Sequence, residues 1–184
     1  MKFPVLQAAL PFALASMSAA AAPQPFSASY TGTAQVVEVL NPTGPVLRFE
    51  TLAAGTGTFD LGSYFSTDVI DMSTGAGTGT NRFVAGNGDE LFGAFSVQVI
   101  PTAVPNIVEL LGQATFTGGT GQFSGATGSA AFTGSGVFTS QTVATATLNY
   151  SGSIALVPEP ASGLLMLGGL AMAAPVVRRL NKNA

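Results

Sequence analysis

The 184-residue chain contains no histidine, no cysteine and no tryptophan, and only 8% of its residues are charged. Without histidine there is no Ser-His-Asp arrangement, no imidazole base and no His-ligated metal. Without cysteine there are no thiol nucleophiles, thiolate zinc sites or disulfides, although this does not fix the compartment, because export permits disulfides without requiring them. The few cations are unevenly placed. Lys2 lies at one end and Arg178, Arg179 and Lys182 at the other, which leaves Arg48 and Arg82 against eight acids between Glu38 and Glu109, a net charge of −6 for the middle. Such a segment repels phosphate, so no nucleic-acid partner is expected.

The apolar excess is also confined to the ends. At the start, one positive charge at Lys2, an apolar stretch running through Leu14 to Met17 and the small residues Ala19 to Ala22 have the layout of a secretory signal peptide. Cleavage after Ala21, with Ala19 and Ala21 as the small residues, gives residues 1–21 as the expected signal and signal peptidase as the expected processing enzyme. A buried N-terminal helix fits worse, because Pro4 and Pro11 interrupt it and no capping pattern begins it.

At the other end, Ala161 to Val177 carries no charge over 17 residues. As a helix it rises about 25 Å, near the minimum for crossing a bilayer core. Arg178, Arg179 and Lys182 follow as a basic stop, which by the positive-inside rule keeps the tip cytoplasmic and puts the preceding chain across the membrane. An ordinary anchor explains the helix and the arginines but leaves Pro158-Glu159-Pro160 unexplained. Two prolines around a carboxylate hold the chain extended and remove two N–H donors, a geometry suited to capture by a processing enzyme.

The order Val157-Pro158-Glu159-Pro160-Ala161-Ser162, apolar helix, Arg178-Arg179 resembles the PEP-CTERM sorting signal of Gram-negative bacteria. The resemblance implies recognition by exosortase, removal of the tail after a transient stay in the inner membrane, and delivery to the cell surface, the outer membrane or an extracellular matrix, with extracellular polysaccharide as a candidate partner. Residues 157–184 are accordingly read as the sorting signal and residues 22–156 as the working domain.

In that middle, short alternating runs are broken by Gly, Pro and Asn-Gly. Ala34–Val39, Val46–Glu50, Glu90–Ile100, Leu111–Thr117 and Thr142–Leu156 read as strands, and Asn87-Gly88 reads as a hairpin turn. Helical periodicity is absent. With no helix to cover a sheet, closure into an all-β barrel or sandwich is the route to burying one face. Ala114-Thr115-Phe116-Thr117-Gly118 is echoed by Ala130-Ala131-Phe132-Thr133-Gly134, which suits two adjacent strands of a hairpin. Between the copies, Gly118-Gly119-Thr120-Gly121, Phe123, Gly125-Ala126 and Gly128 resemble the Gly-rich hairpin of dirigent and allene oxide cyclase-like barrels. That resemblance implies an antiparallel barrel of about eight strands and transfers no catalytic residue.

The candidate acids are Glu38, Glu50, Asp60, Asp68, Asp71, Asp89, Glu90 and Glu109. Asp68 and Asp71, three apart, fall on opposite faces of an ideal strand, so they do not form a paired-carboxylate site unless a bulge intervenes. They are read as solvated loop acids, and Asp89 as a turn residue. Neither Asp68 to Asp71 nor Asn87 to Glu90 has EF-hand spacing, and the Thr-Gly-Thr tracts are too irregularly spaced for an ice-binding array. No catalytic, cofactor or metal residue is assigned. The expected function is a non-catalytic structural or binding module exported to the cell surface or matrix. The alternative is a cyclase- or isomerase-like enzyme on the same barrel, acting on a small hydrophobic molecule in its interior through an Asp or Glu.

Overall fold

The computed structural model describes residues 22–157. Eight strands follow one another: β1 (Gln24–Asn41), β2 (Val46–Gly57), β3 (Leu61–Asp71), β4 (Ala76–Ala85), β5 (Glu90–Pro101), β6 (Ile107–Gly119), β7 (Thr127–Phe138) and β8 (Val143–Ala155). Each pairs antiparallel with the next, and β8 returns to β1, closing an eight-stranded barrel with no free edge. The ladder and the buried cluster lie within these residues, so the barrel completes its own sheet and core.

Alternation decides which side chains enter. Phe26, Ala28 and Tyr30 of β1, and Leu91, Phe95, Val97 and Val99 of β5, point inward while their neighbours face solvent. The repeat seen in the sequence sits on paired strands, with Ala114 opposite Ala130 and Gly112 opposite Phe132. A side chain at Gly112 would run into the Phe132 ring, so the glycine makes room for the aromatic across the ladder. Asn87 and Gly88 lie in the β4–β5 turn, with Gly88 at positive φ. In the β6–β7 connection, Gly121 and Gly125 also take positive φ, as the sharp turn requires.

The interior is filled unevenly along its length. One end is plugged by two single 3-10 turns, Thr58–Asp60 and Gly121–Phe123, whose Phe59 and Phe123 rings meet edge-on at 6.0 Å. Leu61, Leu91, Phe123 and Ile154 are wholly buried there. Next comes an aromatic layer in which Phe83 lies 5.3 Å from both Tyr64 and Tyr150, centroid to centroid. The Tyr30 hydroxyl donates to the Leu61 carbonyl at 2.9 Å, so this buried phenol is satisfied. Beyond the layer, toward the other end, the filling stops.

Candidate binding site inside the barrel

Between the aromatic layer and the unplugged end lies a cup of about 80 Å³. Its wall is largely carbon, including Phe49, Phe95, Phe132 and Leu148, with Met72, Val108 and Phe138 half-buried toward the rim. The polar side chains on the wall are Thr51, Tyr64, Ser66 and Asp68. Three of these four come from β3, where Tyr64, Ser66, Asp68 and Ile70 alternate inward. Gly62, passed over in the pairing between Leu61 and Ser63, sets this phase: Leu61 faces in, and beyond the irregularity the even-numbered residues do.

Asp68 is only 8% exposed. This corrects the sequence reading of Asp68 as a solvated loop acid: it lies inside a strand whose alternation points it into the barrel. Its ladder neighbours are Phe49 on β2 and Gly79 on β4. Ser66 Oγ donates to Asp68 Oδ1 at 3.3 Å, a long bond that offsets little of the desolvation. Burial therefore pushes the carboxyl up from 3.8 to about 6, with the Ser66 hydroxyl pulling weakly the other way. Deeper in, Tyr150 Oη donates to Tyr64 Oη at 3.1 Å, and burial raises both phenols above their ordinary value, so they stay neutral. Asn81, 4% exposed, sits beside them with neither amide atom in a good hydrogen bond.

The other candidate acids do not converge on the cup. Asp71 ends β3 and accepts from the backbone N–H and hydroxyl of Ser73, which holds its carboxyl below the usual range and makes it a turn cap. Asp68 and Asp71 thus point apart, as their spacing implies. Asn87 caps the β4–β5 turn by accepting from the Asp89 N–H, and the Asp89 carboxylate accepts from the Asn87 amide and from the Gln122 N–H at 3.1 Å, tying two loops of the plugged end together. Glu90 pairs with Arg82 at 2.7 Å and Glu38 with Arg48 at 3.1 Å, both on the outer surface, and Arg82 also lies 4.3 Å over the Phe65 ring. Glu50, Asp60 and Glu109 are exposed. Among the described residues no three His, Cys, Asp or Glu side chains come together as a metal site.

Both ends of the described chain, Ala22 and Val157, lie at the plugged end, and Leu156 begins a segment with a recognisable pattern. Residues 156–182 match the PEP-CTERM protein-sorting motif. The PEP-CTERM match spans Val157, Pro158, Glu159, Pro160, Ala161 and Ser162, the apolar run, and Arg178, Arg179 and Lys182. It supports an exported protein that is processed by exosortase. No curated protein and no solved structure matches the chain. The expected barrel is present, whereas the dirigent and allene oxide cyclase resemblance gains no match of its own. The expected signal peptide with Ala19 and Ala21, the apolar C-terminal helix and the basic tail lie outside the described residues. Among the described residues no helix is long and apolar enough to cross a membrane.

Proposed function

We propose that this PEP-CTERM protein acts at the cell surface or in the extracellular matrix as a binding module, and that its binding site is the cup inside the barrel. The observation that carries this reading is an unfilled, carbon-walled cavity with one buried carboxyl in an otherwise packed interior. A protein interior is normally filled to the density of an organic crystal. Leaving space beside a desolvated acid sacrifices stability, and such sacrifices concentrate at functional sites.

Size and polarity select the ligand. Drug-sized sites occupy about 300–1,000 Å³, so a cup of about 80 Å³ takes a small molecule. A sugar unit would lose water from several hydroxyls and find few wall partners, at about 1–3 kcal/mol for each group left unsatisfied. A matrix polysaccharide is therefore not the ligand of the cup, which suits a small apolar molecule. Asp68 also supports a second reading, in which the same cup performs proton-transfer chemistry of the isomerase type, because a carboxyl with a pKa of about 6 exchanges protons readily near neutrality.

Intact mass of the protein recovered from inner membrane, outer membrane and medium of its host tests the sorting half, and extraction of the recovered barrel tests the binding half. The expected result is a chain outside the inner membrane, ending near Pro158 to Ala161 and releasing a small apolar compound. A chain that keeps Arg178 to Ala184 in the inner membrane would overturn the sorting half. An empty barrel that takes up no apolar probe would overturn the binding half.

A further inference from the structure

We infer that the cup selects a small apolar amine, seated with its ammonium group on the Asp68 carboxylate and its hydrocarbon body against the aromatic wall. This deepens the binding reading above and rests on it.

Charge gives the first reason. A carboxylate has about four lone-pair sites, and Asp68 receives one long bond, from Ser66. No lysine or arginine lines the cup, and Arg48 and Arg82 are engaged outside with Glu38 and Glu90. Beside Asp68 on the inner face stand Phe49 and Thr51 of β2, Tyr64, Ser66 and Ile70 of its own strand, and Gly79 and Asn81 of β4, and Phe95, Phe132 and Ala146 line the same cup. Of these only Tyr64 is titratable, and with Tyr150 behind it stays neutral. The ionised cup therefore carries one uncompensated negative charge. It repels carboxylates and phosphates and attracts a cation.

The wall gives the second reason, independent of the acid. Phe95 and Phe132 meet edge-on at 5.8 Å, and Phe132 lies 5.0 Å from Tyr150. Phe49 stands directly across the ladder from Asp68. Aromatic faces around a carboxylate are the surroundings in which an ammonium replaces its lost hydration, through ring quadrupoles as well as the ion pair. The backbone also keeps acid and ring together: a side chain at Gly79 would come within 2.6 Å of Asp68 Cβ and 2.8 Å of the Phe95 ring tip. With a cup of about 80 Å³ against the roughly 150 Å³ of a cavity that encloses benzene, the ligand's nitrogen and a few carbons sit inside and any remaining part of a ring lies at the open rim.

The test uses the barrel of residues 22–157, which closes its own sheet and core, with benzylamine, benzyl alcohol and toluene as probes of similar size. Binding is measured by titration calorimetry and located by NMR contacts to Phe132 and Leu148. At pH 8 benzylamine is expected to bind at least about tenfold more tightly than toluene, although it is less hydrophobic, with benzyl alcohol between them. A tenfold preference corresponds to about 1.4 kcal/mol. At pH 5 about a tenth of the carboxyl is ionised, so the amine preference is expected to fall about tenfold. Asp68→Asn is expected to remove the preference of benzylamine over toluene at every pH. Toluene and benzylamine binding equally would overturn the amine inference and leave the binding reading intact. Failure of all three probes would overturn the binding reading itself. An amine preference that is the same at pH 5 as at pH 8, or that persists in Asp68→Asn, would remove Asp68 from the role assigned to it.

Discussion

Asp68→Asn should make this protein more stable at neutral pH and no more stable in acid. The wild-type carboxyl titrates near 6 when folded and near 3.8 when unfolded. Between those values the folded chain holds a proton that the unfolded chain has released, so unfolding releases it and stability falls as pH rises. The fall is complete once pH passes the folded pKa of about 6, and the difference of a little over two pH units corresponds to about 3 kcal/mol. Asparagine carries no charge in either state and escapes that penalty, while its new amide donors cost about 1 kcal/mol if left unpaired. The net expectation is a gain of about 2 kcal/mol at pH 7.5, or roughly 7 °C in Tm for a domain of this size. At pH 3.5 the gain should be absent. Thermal unfolding followed by circular dichroism, wild type against variant at pH 3.5, 5, 6 and 7.5, measures the difference, and the other carboxylates cancel because both proteins carry them. A variant that melts below the wild type at pH 7.5, or a difference independent of pH, would refute the placement of an ionising Asp68 in a carbon-walled cup.

Two further substitutions probe the packing that leaves the cup open. Tyr30→Phe should cost about 1–2 kcal/mol in urea unfolding, because it strands the buried Leu61 carbonyl without its donor while leaving the ring in place. Gly112→Ala should cost about 1–3 kcal/mol by forcing the Phe132 ring off its seat, and it should alter probe binding, because that ring is part of the cup wall.

The barrel was legible in the sequence where apolar residues alternate over most of a strand, although the first half of β1, with Phe26, Ala28 and Tyr30 inward, was not read as one. Glu90–Ile100 reads as a strand because Leu91, Phe95, Val97 and Val99 alternate inward, and Asn87-Gly88 marks the turn before it. The Ala114 and Ala130 repeat even foreshadows a register pair. β3 and the first half of β4 were not legible, because their inward positions are Tyr64, Ser66 and Asp68, and Gly77, Gly79 and Asn81. Polar and missing side chains on the inner face erase the apolar half of the alternation on which strand recognition depends. The site was obscured for the same physical reason. Asp68 stood among the candidate acids but looked solvated, because the strand that buries it lacks the pattern of a buried strand. The period-two series Tyr64, Ser66, Asp68, Ile70, bounded by an aromatic and a branched aliphatic, was the available signal.

Because the strand number is even and every neighbour is antiparallel, the chain enters and leaves the barrel at one end, and that end is the plugged one. Twelve residues of tilted strand separate it from the open rim by roughly 30 Å. A cut near Pro158 to Ala161, where the proposed processing would fall, therefore lies at the plugged end and away from the residues that form the wall and the rim of the cup.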